Sequence, residues 1–161
     1  MTNDAIREAI GKSLGRIPSG VAILTTQHQQ ESGAMLCSWF QQISFEPPMI
    51  SIAVKKGRWV TELVQASRNL VLNILHTGQK NMLAHFGKGF ERGQNPYEGI
   101  AIETQKAGAA ILKEALCYLE CELQQSVEVG DHQILLLEVL NAGAQEEGAP
   151  MVHLRRNGFY Y

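Results

Sequence analysis

The chain has 161 residues, 45% of them hydrophobic, a formal net charge of −2 and three cysteines. That length predicts one domain over residues 1–161, with a core that needs neither disulfides nor a metal. The near-neutral charge argues against nucleic acid or an anionic membrane surface as the main partner. An odd, irregular cysteine count argues against a disulfide framework and for a reducing, cytoplasmic setting. No run reaches the roughly 18–20 apolar residues of a spanning helix, and the N-terminus has no apolar signal core.

Residues 4–14 read as an amphipathic helix: Ile6, Ala9, Ile10 and Leu14 recur at helical spacing, Asn3 or Asp4 can cap it, and Gly15 and Pro18 end it. Gly20–Thr26 is a β-branched run and predicts a strand. Residues 33–45 predict a second strand, stopped by Pro47 and Pro48. Met49–Val54 predicts a third, apolar on both faces and hence central. A short helix over Trp59–Ala66 follows, with Val60, Leu63 and Val64 as its buried stripe, then a strand over Asn69–Leu75 and a helix over Gln79–Phe86. Glycines and Pro96 make the next stretch a loop.

The second half is more plainly β. From Leu116 to Leu123 the residues alternate, with Cys117, Leu119, Cys121 and Leu123 on one face. Gly130-Asp131-His132 reads as a hairpin turn. Ile134–Leu140 is nearly all apolar, which predicts burial in a core or against a second subunit. Met151–Leu154 and Gly158–Tyr161 predict short closing strands. About seven strands with short helices between them favour a mainly β protein, a β-barrel with helical covers, over a parallel α/β sheet.

Several motifs dissolve on inspection. Gly11-Lys12-Ser13 has Ile6 where a P-loop needs glycine, and no strand leads into it. No dinucleotide-binding glycine fingerprint is present. Cys117 and Cys121, four residues apart on one strand, would stand roughly 13 Å apart, too far for one zinc. His28, His76, His85 and His153 have no ligand spacing, so no metal site is expected. Cys37 has no local partner that would make it a nucleophile.

Two stretches stay open on their residues alone. Gly33, Ala34, Cys37 and Ser38 are dense in small side chains, which fits either tight packing or a close approach of backbone to a ligand. Lys55, Lys56 and Arg58 precede a helix start that includes Thr61, which fits either a solvated loop or a phosphate seat.

Taken together, Gly20-Val21-Ala22 with Thr25-Thr26, Gly33-Ala34-Met35 through Phe40, Ser44-Phe45-Glu46-Pro47-Pro48, Val71 to Leu75, Leu119-Glu120-Cys121 and Gly130-Asp131-His132 resemble the flavin reductase-like, FMN-binding split-barrel family. The order and spacing cover residues from about 14 to 161. The likeness extends to the flavin reductase domain at the C-terminal end of cyanobacterial flavodiiron proteins. The resemblance implies a six-stranded split β-barrel that forms a homodimer, with FMN, or FAD as the alternative flavin, near the subunit interface. It implies that Met35, Leu36, Cys37, Ser38 and Trp39 lie along the flavin ring, mainly through backbone groups. Val54, Lys55, Arg58 and Thr61 would surround the phosphate, and His132 would serve the nicotinamide of NADH or NADPH. Leu36 and Trp39 stand where many members have Thr and a small residue, which removes a side-chain hydrogen bond to the ring. The implied activity is NAD(P)H-dependent flavin reduction, with hydride passing to flavin N5. The alternatives are a flavin-binding electron carrier reduced by a redox partner protein, a pyridoxamine-phosphate oxidase-like enzyme, and a cofactor-free interaction domain.

Overall fold

A computed structural model describes residues 2–104, 108–144 and 147–160. The chain opens with helix α1 (Asn3–Leu14), and β1 (Ser19–Gly20) leads into β2 (Ala22–His28) and β3 (Glu31–Cys37). Next come β4 (Phe40–Ser44), β5 (Met49–Lys55), α2 (Val60–Ser67), β6 (Asn69–Ile74) and α3 (Lys80–Gly87). The short strands β7 (Ile102–Thr104) and β8 (Ala110–Leu112) precede the long hairpin of β9 (Cys117–Val129) and β10 (His132–Ala144), and β11 (Val152–His153) closes the order.

Seven strands form one antiparallel sheet in the order β3-β2-β6-β9-β10-β5-β4. Strict alternation drives its curl. Ala22 and Leu24 of β2, Cys37 of β3, Ile50, Ile52 and Val54 of β5, Leu70 and Leu72 of β6, Cys121 and Leu123 of β9 and Leu135 and Leu137 of β10 all bury into one interior cluster. Val60 and Val64 of α2 plug it. The alternate residues Val21, Ile23 and Ala34 face outward, under Met82 and Phe86 of α3 and Leu112 of β8. The fold is thus mainly β with three short helices, as expected.

Among the described residues the barrel does not close by hydrogen bonds. Its end strands β3 and β4 each pair on one side only, and the chain crosses between them at Ser38-Trp39. The single strand expected over residues 33–45 is therefore two. Residues 31–37 pair with β2 at one end of the sheet and 40–44 with β5 at the other, and no one straight strand can do both. Seven strands stand in this sheet where the resemblance implied six.

Other expectations move in detail. Thr2 caps α1, accepting from the Ala5 N–H at 3.4 Å, in place of Asn3 or Asp4. Strand β5 was expected to be central, but it lies next to the edge strand β4 and buries only Ile50, Ile52 and Val54, leaving its other face half-covered. Ile134–Leu140 alternates in the same way, with Leu135 and Leu137 inside and Leu140 exposed. Residues 158–159 form a turn and Tyr160 is irregular where a strand was expected, and Tyr161 lies outside the described residues. Strands β7 and β8 were not foreseen. Asn73, fully buried, holds β8 in place by donating from its Nδ2 to the Ala110 carbonyl at 3.3 Å and accepting the Leu112 N–H at 2.8 Å.

Candidate functional site

The split between β3 and β4 brings three distant parts of the chain together. Ala53 of β5 donates its N–H to the Trp39 carbonyl at 2.8 Å, which anchors the crossing to the sheet. Two residues along β5, Lys55 pairs in register with His132, the first residue of β10. The two-residue Gly130-Asp131 loop delivers His132 there. Gly130 has φ of 55°, the positive value that a type II′ hairpin requires at its first loop position.

His132 is tightly held. Its Nδ1 lies 2.7 Å from Asp131 Oδ1, and its side chain is 14% exposed. A carboxylate only accepts, so Nδ1 carries the proton in that bond. The ring beside it holds the Asp131 carboxyl below the usual carboxylate range. The opposite ring nitrogen, Nε2, is buried and has no hydrogen-bond partner among the described residues. A buried polar atom left unpaired costs about 1–3 kcal/mol, so such an atom marks a place for a partner. The Trp39 ring covers the same imidazole, with centroids 4.9 Å apart and planes tilted by 30°. The Arg155 guanidinium lies 4.8 Å from the centre of the Trp39 ring.

An apolar groove of about 490 Å³ has Trp39 in its wall, with Ser38, Phe40, Ala53, Ile134 and Ile17 among its other lining residues. That size falls within the range of small-molecule clefts. A larger depression of about 610 Å³ lies at the far end of β3 beside His28, Glu31 and Arg92, and contains none of the candidate residues. The Arg92 fork there is already engaged by Glu31 at 2.6 and 3.0 Å and by Glu62 at 2.9 Å.

The remaining candidates divide by what their side chains do. Met35 and Cys37 pack on the barrel interior and Leu36 on the opposite, α3 side, so these three offer a ligand only their backbone. Burial pushes the Cys37 thiol up to about 12, which removes any thiolate chemistry near neutral pH. Gly33 answers to packing, since a Cβ there would stand 3.1 Å from Leu63 Cδ1 and 3.4 Å from Trp59 and Val60. Val54 points its side chain into the core and is 1% exposed.

Lys55 and Arg58 are exposed, and neither forms an ion pair among the described residues, whereas Lys56 is bound to Glu128 at 2.8 Å. Thr61 is buried. Its hydroxyl donates to the Arg58 carbonyl at 2.6 Å and accepts from Gln133 Nε2 at 2.9 Å, so it has no proton left to give a phosphate. The start of α2 is also partly used, because the Thr61 and Glu62 N–H groups bond to Arg58 and Trp59 carbonyls at 3.0 Å.

Two participants escaped the sequence. Gln133 is a buried polar residue at the head of an apolar run, and that contrast was its signal. Arg155 carried no local signal, because only the tertiary fold places it on Trp39.

These features, a curled antiparallel sheet split at one seam with a groove and a buried histidine at the seam, define a small-ligand barrel. Residues 14–160 match the family model described as flavin reductase like domain, and the chain belongs to that family. It is 42% identical over 152 residues to diflavin flavoprotein A 1 of Synechocystis sp., a match covering 93% of this chain and 26% of that protein. Putative diflavin flavoprotein A 2 of Nostoc sp. is 39% identical over 93% of the chain. The chain therefore spans about a quarter of the length of these relatives. Among solved structures, the nitrilotriacetate monooxygenase component B homologue from Mycobacterium thermoresistibile superposes with a TM-score of 0.83 at 24% identity, covering 96% of this chain and 86% of that one, and so shares the fold. The NADH:FAD oxidoreductase SgcE6 of Streptomyces globisporus, in complex with NAD and FAD fragments, gives a TM-score of 0.79 at 25% identity, covering 91% and 86%.

Proposed function

We propose that this chain binds FMN along the seam between β3 and β4 and acts as an NAD(P)H:flavin oxidoreductase. One observation carries the reading: the buried Nε2 of His132, without a partner among the described residues, beneath Trp39, a wall residue of the seam groove. The relative that binds NAD and FAD fragments supports it and makes FAD the alternative flavin.

A bound flavin supplies the hydride-accepting chemistry, and the protein's task is to bind, orient and shield. Because β3 has no strand on its outer side, backbone N–H and C=O groups of residues 35–38 on that edge are available to a planar polar ring. Lys55 and Arg58, free of ion pairs among the described residues, take the phosphate. Thr61 frames that seat from inside through its bonds to Arg58 and Gln133. Asp131 holds the proton on Nδ1 of His132, which leaves Nε2 to hydrogen-bond the nicotinamide carboxamide. Trp39, Phe40 and Ile134 supply the apolar wall that excludes water.

The deciding experiment loads the protein with FMN and mixes it anaerobically with NADH or NADPH in a stopped-flow spectrometer. The flavin absorbance is expected to bleach, and His132→Ala to slow bleaching about tenfold with FMN affinity retained. A flavin that stays oxidised would overturn the reading in favour of a carrier reduced by a partner protein.

A further inference from the structure

We propose that Arg155 is a positioning residue for nicotinamide oxidation, acting through Trp39 on His132; this rests on the flavin reductase reading of the seam. The contact chain is continuous. Arg155 Nη1 donates to the Gly158 carbonyl at 3.1 Å and Nη2 to the Leu14 carbonyl at 3.5 Å, which fixes the guanidinium between the C-terminal segment and the end of α1. No carboxylate neutralises it among the described residues. Its charge instead faces the Trp39 ring at 4.8 Å, inside the roughly 6 Å reach of a cation–π contact. Trp39 in turn covers the His132 imidazole at 4.9 Å.

Each link restrains the next. Trp39 sits at the break between two strands, its carbonyl accepting the Ala53 N–H at 2.8 Å. A guanidinium stacked on the indole removes rotamer freedom that the backbone leaves open. His132 stands at the end of a hairpin, and its one hydrogen bond goes to Asp131, whose side chain is 78% exposed. The indole over the ring supplies the lateral support that this bond lacks. With the ring held from both directions, Nε2 points one way, and misplacing such a group by about 1 Å can cost as much as a hundredfold in rate.

The test compares Arg155→Gln, Arg155→Lys and Trp39→Leu with the FMN-loaded wild type. Ring-to-ring nuclear Overhauser contacts between Trp39 and His132 report the positioning directly, in flavin-free protein. Arg155→Gln is expected to lose those contacts and to raise KM for NADH about tenfold, with kcat and FMN affinity within about twofold. Arg155→Lys, which keeps a cation over the ring, is expected to bring KM back to within about threefold of wild type. Trp39→Leu removes the intermediary while leaving the Arg155 backbone bonds in place, and the same KM rise is expected whether or not Arg155→Gln folds. Unchanged ring contacts in Arg155→Gln, a wild-type KM in Trp39→Leu, or an FMN affinity that falls in step with KM in Arg155→Gln would each overturn the proposal. If the wild type does not oxidise NADH or NADPH, the reductase reading fails, and the ring contacts still decide whether Arg155 holds Trp39.

Discussion

Burial pushes the thiols of both Cys37 and Cys121 up to about 12 from an ordinary value near 9. The consequence is a pH dependence of stability. In the unfolded chain both thiols lose their protons near pH 9, while the folded chain retains them to about pH 12. Between those limits the unfolded state binds fewer protons, so stability present below pH 9 is lost as the pH rises, by about 1.4 kcal/mol per pH unit per thiol. Urea unfolding at pH 8, 9.5 and 10.5 is expected to show a progressive loss that a Cys37→Ala, Cys121→Ala double variant reduces. At this scale the residues alone were ambiguous. Gly-Asp-His read as a plain hairpin turn, Lys55 and Arg58 fitted a solvated loop as well as a phosphate seat, and only the family resemblance gave them roles. Thr61 looked equally available, yet its hydroxyl is spent on Arg58 and Gln133. A sequence records a hydroxyl but not which way its proton points.

Helices and strands bring these residues together through packing that single glycines control. Gly158 N–H bonds to the Gly11 carbonyl of α1 at 2.7 Å, and a Cβ on Gly158 would stand 2.2 Å from Leu14 Cβ. No rotamer relieves a clash between two Cβ atoms, so α1 and the C-terminal segment must separate. Gly158→Ala is expected to cost about 1–3 kcal/mol by chemical denaturation, the usual range for overpacking. The loss should be accompanied by faster amide exchange over residues 151–160. The β3–β4 break belongs to this scale too. Residues 33–45 read as one strand because no proline or turn pair interrupts them before Pro47, and nothing local says that Ser38-Trp39 leaves one sheet edge for the other. By contrast α2, β6 and the β9–β10 hairpin were legible, since each has its own apolar period and its own stop signal.

Across the whole molecule, apolar residues gather where the chain itself does not cover them. The stripe of α1 that predicted an amphipathic helix, Ile6, Ile10 and Leu14, is exposed, and Ile17, Val152 and Leu154 are also exposed on neighbouring segments. Uncovered apolar surface of this kind fits the homodimer that the family resemblance implies, which we propose as the state in solution. Light scattering on the purified chain is expected to give about twice 17.8 kDa, and Ile10→Glu with Val152→Glu to return it towards that mass. No helix among the described residues is long and apolar enough to cross a membrane. The sequence by itself determined the β-rich architecture and the family, because alternation, turn chemistry and motif order are local and additive along the chain. Only the tertiary structure decided that the sheet ends at two unpaired edges, that Nε2 of His132 lies buried beside them, and that Arg155 reaches Trp39 from the other end of the chain. Those facts depend on which surfaces the curled sheet brings within a few ångströms of one another, and residues 116 positions apart in sequence carry no local sign of it.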